Sequence, residues 1–163
     1  MNFEYRRASI YDLERIWEKN IRDNPGDNRW TGWKNEFIEN NQKKLARTFI
    51  VLCDGHPIGE GTLLLSPKCS AIRGRTQLAN NANVANVNAL RIQKAYEGKG
   101  HIAHLMRVME TDAMAMGYTH LTIGVEAQET RNLAIYLHWG YDKFILSEVE
   151  DGALVLYYQK RLM

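Results

Sequence analysis

The stretch from Val87 to Met106 constrains the fold more than any other part of the chain. It begins with an apolar run, Val87 to Ile92, that is typical of a buried strand, and continues through a polar loop that contains Gly98 and Gly100. An apolar helix pattern then starts at Ile102. The first N–H groups of a helix have no partner inside it, and glycines let a ligand approach the backbone closely. The sequence therefore predicts an anion-binding loop between a strand and a helix.

Two common phosphate loops do not fit this stretch. Gly98 to Ala103 matches the dinucleotide pattern G-x-G-x-x-A, but that fold needs its first glycine at the strand end and an acidic residue about 20 positions later. Here Gln93 to Glu97 separate the strand from the glycine, and position 120 is His120. Lys99 is followed by Gly100, where a P-loop has Ser or Thr. We therefore expect neither of these nucleotide folds.

The remaining apolar patterns predict an α+β fold with seven strands and four helices. Apolar residues recur at steps of three and four in the predicted helices, and they alternate or run together in the predicted strands. The predicted strands are 3–8, 48–53, 58–65, 87–92, 119–125, 141–149 and 153–159, and the predicted helices are 10–21, 30–46, 102–116 and 131–139.

The order of these elements, β-α-α-β-β-β-α-β-α-β-β, combines antiparallel hairpins with one parallel pair. The strands at 87–92 and 119–125 are joined by a helix, so we expect them to be parallel through a right-handed crossover. The helices should cover both sides of the mixed sheet. We interpret 66–86 as an exposed, mobile loop with some hairpin character, because it is rich in Asn, Gly and Arg. The length of 163 residues fits a single domain over 1–163.

Charge and hydropathy exclude several classes of partner. The formal net charge is +2, and the only basic cluster is the weak one formed by Lys68, Arg73 and Arg75. This is too little to predict binding to nucleic acid or to an anionic membrane. No apolar run reaches membrane-spanning length, and the start of the chain lacks the apolar core of a signal peptide.

The two cysteines, Cys53 and Cys69, predict neither a disulfide framework nor a metal site. Cys53 lies in an apolar run, where we expect a buried thiol, and Cys69 lies in the predicted loop. Two cysteines without ligand spacing fit a reducing compartment, and we expect a cytoplasmic protein with no metal.

The glycine loop resembles that of the GNAT superfamily of N-acetyltransferases. In that superfamily an Arg/Gln-x-x-Gly-x-Gly/Ala loop follows the fourth strand and holds the pyrophosphate of acetyl-coenzyme A. The corresponding run here is Glu97 to Ile102, with Gly100 at the central glycine. Glu97 stands where Arg or Gln is usual, and Ile102 stands where Gly or Ala is usual. We expect Glu97 to point into solvent and Ile102 to point away from the phosphates.

A second block carries the same resemblance. Members of the superfamily show Asn-x-x-Ala-x-x-x-Tyr-x-x-x-Gly-Phe across the next helix, and here Tyr136, Gly140 and Tyr141 fall in register. The asparagine position is occupied by Glu129. Asn132 lies one turn later and can replace the missing amide, because residues three apart share a helix face.

The resemblance implies a GNAT-like acyl-coenzyme A N-acyltransferase fold with acetyl-coenzyme A as co-substrate. The strand end would pair with the pantetheine arm, and the loop amides would hold the pyrophosphate. The residues implied in cofactor binding are Leu90, Arg91, Ile92, Gly98, Lys99, Gly100, His101, Ile102, Ala103 and Asn132.

The chemistry implied is direct attack of an acceptor amine on the thioester. Tyr136 is the candidate general acid, because a phenol with a pKa of about 10 is protonated at neutral pH. The alternative is a structural tyrosine on an apolar helix. The base is open between Glu126, Glu60 and a water chain, and we prefer these to His101 or His104.

The acceptor is expected to be a small amine or a peptide N-terminus. Trp30, Trp33 and the 66–86 loop occupy the regions that shape acceptor binding in the superfamily. A homodimer is one option for the assembly. A non-enzymatic alternative is an acyl-coenzyme A sensor or interaction module on the same fold, favoured by the departures at Glu97 and Ile102.

Overall fold

A computed structural model describes all residues, 1–163, and contains seven strands and four helices in the predicted order. The elements are β1 (Phe3–Arg7), α1 (Ile10–Asp23), α2 (Arg29–Gln42), β2 (Ala46–Cys53), β3 (His56–Leu64), β4 (Val84–Ile92), α3 (His101–Ala115), β5 (His120–Glu126), α4 (Thr130–His138), β6 (Lys143–Glu150) and β7 (Ala153–Arg161). Two short 3-10 helices lie at Ser70–Ile72 and Lys94–Tyr96.

The strands form one mixed sheet in the order β1-β2-β3-β4-β5-β7-β6. The predicted parallel pair is confirmed, since Val84 of β4 lies opposite His120 of β5 and the strands run in the same direction. β1 is antiparallel to β2, and β7 is antiparallel to both of its neighbours. The last hairpin turns at Asp151 and Gly152, both with positive φ (50° and 81°), as two-residue hairpins prefer.

The chain divides into two compact units. Unit 1 comprises 1–63 and 89–109, and unit 2 comprises 64–88 and 110–163. The strand β4 contributes residues to both of them. The single domain expected over 1–163 stays a prediction.

Unit 1 is built on α1 and α2. Ser9 caps α1, because its hydroxyl accepts from the Asp12 amide (3.1 Å) while the Asp12 carboxylate accepts from the Ser9 amide (2.8 Å). Arg6 of β1 also donates to Asp12 (2.6 Å), so the strand fixes the start of the helix. Trp17 of α1 is 1% exposed and packs on Phe37 of α2 with ring centroids 5.0 Å apart. The sequence thus places two aromatic helices over a common apolar core.

The segment before β4 in unit 2 differs from the prediction. We expected an exposed loop with hairpin character at 66–86, but 66–83 contain no strand and 84–86 belong to β4. Ile72 and Leu78 are 1% and 0% exposed, and the Leu78 carbonyl accepts from the buried Thr122 hydroxyl (2.8 Å). The apolar residues of this segment lack regular spacing, so they anchor an irregular fold that periodicity does not reveal.

A partly buried charge network ties this segment to the last hairpin. Arg75 contacts Glu148 (3.3 Å) and Glu150 (3.4 Å), and it donates to the Tyr157 hydroxyl (3.3 Å). Tyr157 in turn donates to Glu150 (2.6 Å). Burial and the hydrogen bond to Glu150 raise the pKa of Tyr157 to about 12, so its phenol stays protonated. The Tyr157 ring lies against Gly124, where an added Cβ would come within 2.7 Å of a ring carbon.

Replacing Gly124→Ala is expected to destabilise the protein by about 1–3 kcal/mol, because the new methyl group overpacks a ring that Arg75 and Glu150 hold in place. Gly32→Ala is the matched control. Gly32 lies in α2 with nothing within 4 Å of the added Cβ, so alanine should stabilise by up to about 1 kcal/mol through helix propensity. Denaturant unfolding measures both; equal effects of the two substitutions would contradict this packing.

Candidate active site

The anion-binding loop has the geometry expected of its glycines. After β4 and the turn at Lys94–Tyr96, Gly98 and Gly100 adopt φ of 72° and 85°, a region that strongly favours glycine. The helix α3 begins at His101, and the His104 amide donates to the Gly100 carbonyl (3.0 Å). The three amides before His104 therefore precede the helical ladder, and the helix dipole adds positive charge there.

The two departures from the superfamily pattern are accommodated in this loop. Glu97 is exposed, which confirms its expected place in solvent. Ile102 is half-buried at the start of α3, whose inner face is formed by Leu105 and Met109, both 0% exposed. Lys99 is exposed and adds a positive charge beside the free amides. The loop has room for a pyrophosphate group, because no other atom lies within 4 Å of a Cβ added at Gly98 or Gly100.

The side chains of the two histidines of α3 contact Tyr5 of β1. His101 is 7% exposed and shares a 2.8 Å hydrogen bond between its Nδ1 and the Tyr5 hydroxyl. His104 is exposed, as expected, and stacks on the Tyr5 ring with centroids 3.7 Å apart. The imidazole of His101 therefore anchors the loop to β1, while its amide is at the free end of the helix.

The carboxyl end of β4 contains a feature that the sequence did not reveal. Ala89 has φ of 53°, a left-handed conformation unusual for alanine within a strand. The registered pairs between β4 and β5 end at Val87 and Ile123, just before this residue. Beyond it, the Gln93 amide donates to the Ile58 carbonyl of β3 (2.8 Å). The strand end is thus bonded on its β3 side and follows a residue in the left-handed conformation.

The side chains of this strand end separate to two faces within unit 1. An added Cβ on Gly61 of β3 would lie 2.8 Å from Leu90 and 2.9 Å from the Met109 sulfur, so Leu90 faces α3. Arg91 faces the opposite way, toward α1 and α2, and lines a cleft. The Arg91 side chain is therefore directed into the cleft, and its backbone is left for the pairing with an extended ligand that the resemblance implies.

This cleft has a volume of about 190 Å³ and is formed by α1, the first turn of α2, β3 and the end of β4. Its apolar walls come from Ile16, Trp30 and Ile58. Its polar side chains are two acids, two bases and three amides, namely Lys19, Asn20, Asp23, Asn24, Glu60, Arg91 and Gln93. Small apolar clefts with a few convergent polar groups are typical ligand sites.

An ion pair between Glu60 and Arg91 forms the floor of the cleft. Glu60 is 5% exposed and also accepts from the Asn20 amide group (3.3 Å). Burial raises the pKa of the Glu60 carboxyl, while Arg91 and Asn20 lower it in part. The Arg91 guanidinium lies 5.3 Å from the Trp17 ring centre and 5.0 Å from that of Trp30. Two aromatic rings and one buried carboxylate thus fix its position.

The predicted residues of unit 2 lie on or beside α4. Tyr136 is partly buried, and burial followed by the charge of Glu129 raises the pKa of its phenol. Asn132 is exposed and donates to the Glu129 carboxylate (2.7 Å). Glu126, at the end of β5, also has a raised pKa, first because of its hydrogen bond with the Glu129 carboxyl. The Tyr136 phenol therefore stays protonated at neutral pH.

Comparison with known proteins identifies the family of this chain. A family model described as the Acetyltransferase (GNAT) family matches residues 8–141. The chain belongs to this family. It is therefore an acyltransferase, and its seven-stranded mixed sheet with four helices is the fold of GNAT acetyltransferases. Comparison with curated protein sequences finds no significant match.

Solved structures of GNAT proteins resemble the whole chain. An N-acetyltransferase from Staphylococcus aureus superimposes with a TM-score of 0.71 at 15% identity, over 100% of both chains. The PaiA N-acetyltransferase of Thermoplasma acidophilum, solved with coenzyme A, gives 0.66 at 19% identity over 99% of both chains. The yncA protein of Salmonella typhimurium, solved with acetyl-CoA, gives 0.72 at 15% identity, over 100% of this chain and 95% of that one. At these identities the likeness establishes the fold.

Two further features of the structure concern metals and membranes. No group of three or more His, Cys, Asp or Glu side chains is arranged to hold a metal ion. None of the helices has both the length and the apolar character needed to cross a bilayer. Neither Cys53 nor Cys69 is in a disulfide, and both are buried, which confirms the buried thiol expected at Cys53.

Removing Arg91 should make stability more sensitive to pH. In Arg91→Met the buried Glu60 loses its cation, so the pKa of its carboxyl rises further. A raised carboxyl pKa in the folded state costs stability as pH increases, because the unfolded chain ionises first. The free energy of unfolding of the variant should therefore fall relative to wild type between about pH 5 and about pH 8.

Denaturant titrations across that pH range measure the effect. Adding Glu60→Gln to the Arg91→Met variant should abolish the extra pH dependence, because the ionising group is gone. Parallel pH profiles for wild type and Arg91→Met would contradict the placement of this ion pair.

Proposed function

We propose that this protein transfers the acetyl group of acetyl-coenzyme A to the primary amine of a small molecule or peptide by direct attack. The observation that carries the proposal is the open N-terminus of α3 behind Gly98 and Gly100, in a chain of the GNAT family. It is supported by the complexes of the Thermoplasma acidophilum and Salmonella typhimurium proteins with coenzyme A and acetyl-CoA.

In this proposal the loop holds the co-substrate. The amides from Gly98 to Ala103, with Lys99 nearby, bind the pyrophosphate, because free amides and the helix dipole favour an anion. The backbone of Leu90 to Ile92 pairs with the extended pantetheine arm as an added strand would. The thioester supplies the activated acetyl group. Asn132 is assigned to cofactor binding by its place in the motif; its bond to Glu129 would have to open first.

The acceptor amine occupies the cleft of unit 1. Its nitrogen attacks the thioester carbonyl, a C–N bond forms and the C–S bond breaks. Glu60 takes the proton that the nitrogen loses, and Tyr136 gives its phenolic proton to the leaving sulfur. The role of Tyr136 is supported by the register of its sequence block and by a raised pKa that keeps the phenol protonated.

We favour Glu60 over Glu126 as the base because Glu60 lines the cleft. Burial raises the pKa of Glu60, which brings a carboxylate closer to the neutral range in which a base works best. A water chain to solvent is the remaining alternative. We further propose that 1–163 act as one domain in the cytoplasm, where cysteines outside disulfides, such as Cys53 and Cys69, keep their thiols reduced.

Release of free coenzyme A thiol distinguishes an enzyme from a sensor. The protein is incubated with acetyl-coenzyme A and a panel of primary amines, and thiol formation is followed with a chromogenic reagent. We expect release that depends on the amine. Binding of coenzyme A by calorimetry without release from any amine would favour the acyl-coenzyme A sensor, and absence of binding would reject both functions.

The variant Tyr136→Phe should lower turnover at least tenfold and leave the calorimetric affinity for acetyl-coenzyme A little changed, because it removes the proton donor and keeps the ring. Tyr118→Phe is the control. Burial raises the pKa of Tyr118 as it does that of Tyr136, but Tyr118 lies between α3 and β5, outside the proposed chemistry. Unaltered turnover in Tyr136→Phe would remove this residue from the mechanism.

A further inference from the structure

The charges of the unit 1 cleft are paired in a way that selects among amines. Two cations, Lys19 and Arg91, face it together with two anions, Asp23 and Glu60. Lys19 and Asp23 pair with each other on α1, and Arg91 pairs with Glu60 on the floor. A polyamine would bring several positive charges next to both cations of this cleft, and like charges repel each other. The arrangement instead complements a ligand that carries one positive and one negative group.

Arg91 has donors left over for the negative group. Only its Nη1 hydrogen-bonds within the protein, to Glu60, although a guanidinium has five N–H donors in a planar fork. Its side chain is 33% exposed, whereas that of Glu60 is 7% exposed. The rings of Trp17 and Trp30 flank the guanidinium and keep the fork in position. A planar carboxylate is the anion that matches such a fork in bidentate fashion.

We propose that the acceptor is a free amino acid whose carboxylate binds Arg91 while its amine lies beside Glu60. This inference rests on the proposed acetyl transfer in the cleft. A peptide N-terminus lacks a carboxylate next to its amine and does not satisfy Arg91. The volume of about 190 Å³ suits a small ligand, and Ile16, Trp30 and Ile58 offer an apolar wall for its side chain.

Binding of the carboxylate also prepares Glu60 for its role. Arg91 lowers the pKa of Glu60, against the effect of burial. A ligand carboxylate shares the charge of Arg91, so the affinity of Glu60 for a proton rises when the amine arrives. Acceptors that lack the carboxylate would be bound more weakly and deprotonated less readily.

The test compares leucine with leucinamide and 3-methylbutylamine, which keep the amine and side chain but lack the carboxylate. With acetyl-coenzyme A saturating, we expect kcat/KM from thiol release to be at least tenfold higher for leucine. Arg91→Gln should remove this preference mainly by raising KM for leucine. Arg91→Lys keeps the charge but loses the fork, and it should restore part of the preference. Arg22→Gln, on the exposed end of α1, is the control that should change nothing.

Calorimetry measures the binding of leucine to the same site without turnover. Leucine titrated into the protein saturated with coenzyme A should bind, and Arg91→Gln should weaken this binding at least tenfold. The inference would be overturned by equal kcat/KM for leucine and 3-methylbutylamine, or by an affinity for leucine that is unchanged in Arg91→Gln. Neither result would contradict the proposed acetyl transfer. If no amine releases thiol, the proposed function fails, and leucine binding in the calorimeter still decides for or against the Arg91 site.

Discussion

The ion pair of Glu60 and Arg91 is the constraint that shapes the cleft of unit 1. A carboxylate with 5% exposure is costly unless a cation and hydrogen-bond donors compensate it, and both are present in Arg91 and Asn20. The pair joins the neighbouring strands β3 and β4, and the rings of Trp17 and Trp30 extend it to both helices. Such a pair contributes little net stability against an apolar core of the same shape. Its placement on the floor of a cleft is therefore better explained by ligand chemistry.

The same strand provides both parts of the proposed active site. Within β4 the Arg91 side chain faces the cleft, and after Ile92 the chain enters the loop that ends in the free amides of α3. The loop is held from the other side by β1, through the bond between Tyr5 and His101. One short stretch of chain thus sets the distance between the anion-binding loop and the acceptor cleft. In the proposed reaction this connection would hold the two substrates at a fixed distance from each other.

Much of this fold was predictable from sequence, because its signals are local. The order of eleven elements followed from periodicity and turn residues, and the loop at Gly98 and Gly100 followed from the need for positive φ before a helix. The place of Glu97 in solvent followed from charge repulsion. These predictions depend on neighbours along the chain, which is the information that a single sequence contains.

The features that were missed depend on contacts between distant residues. The ion pair of Glu60 and Arg91 was not predicted, because it depends on the register of β3 against β4. The positive φ of Ala89 had no signal, since alanine rarely adopts it. The segment at 66–83 looked polar and exposed, yet Ile72 and Leu78 are buried. Irregular packing of this kind appears only when the partner surface is known.

A crystal structure of the protein with coenzyme A and leucine tests the central claim most directly. The account predicts pyrophosphate density on the amides of Gly98 to Ile102, a pantetheine arm along Leu90 to Ile92, and a leucine carboxylate on the fork of Arg91. Coenzyme A bound elsewhere, or a loop that stays empty at saturating concentration, would contradict the account at its foundation.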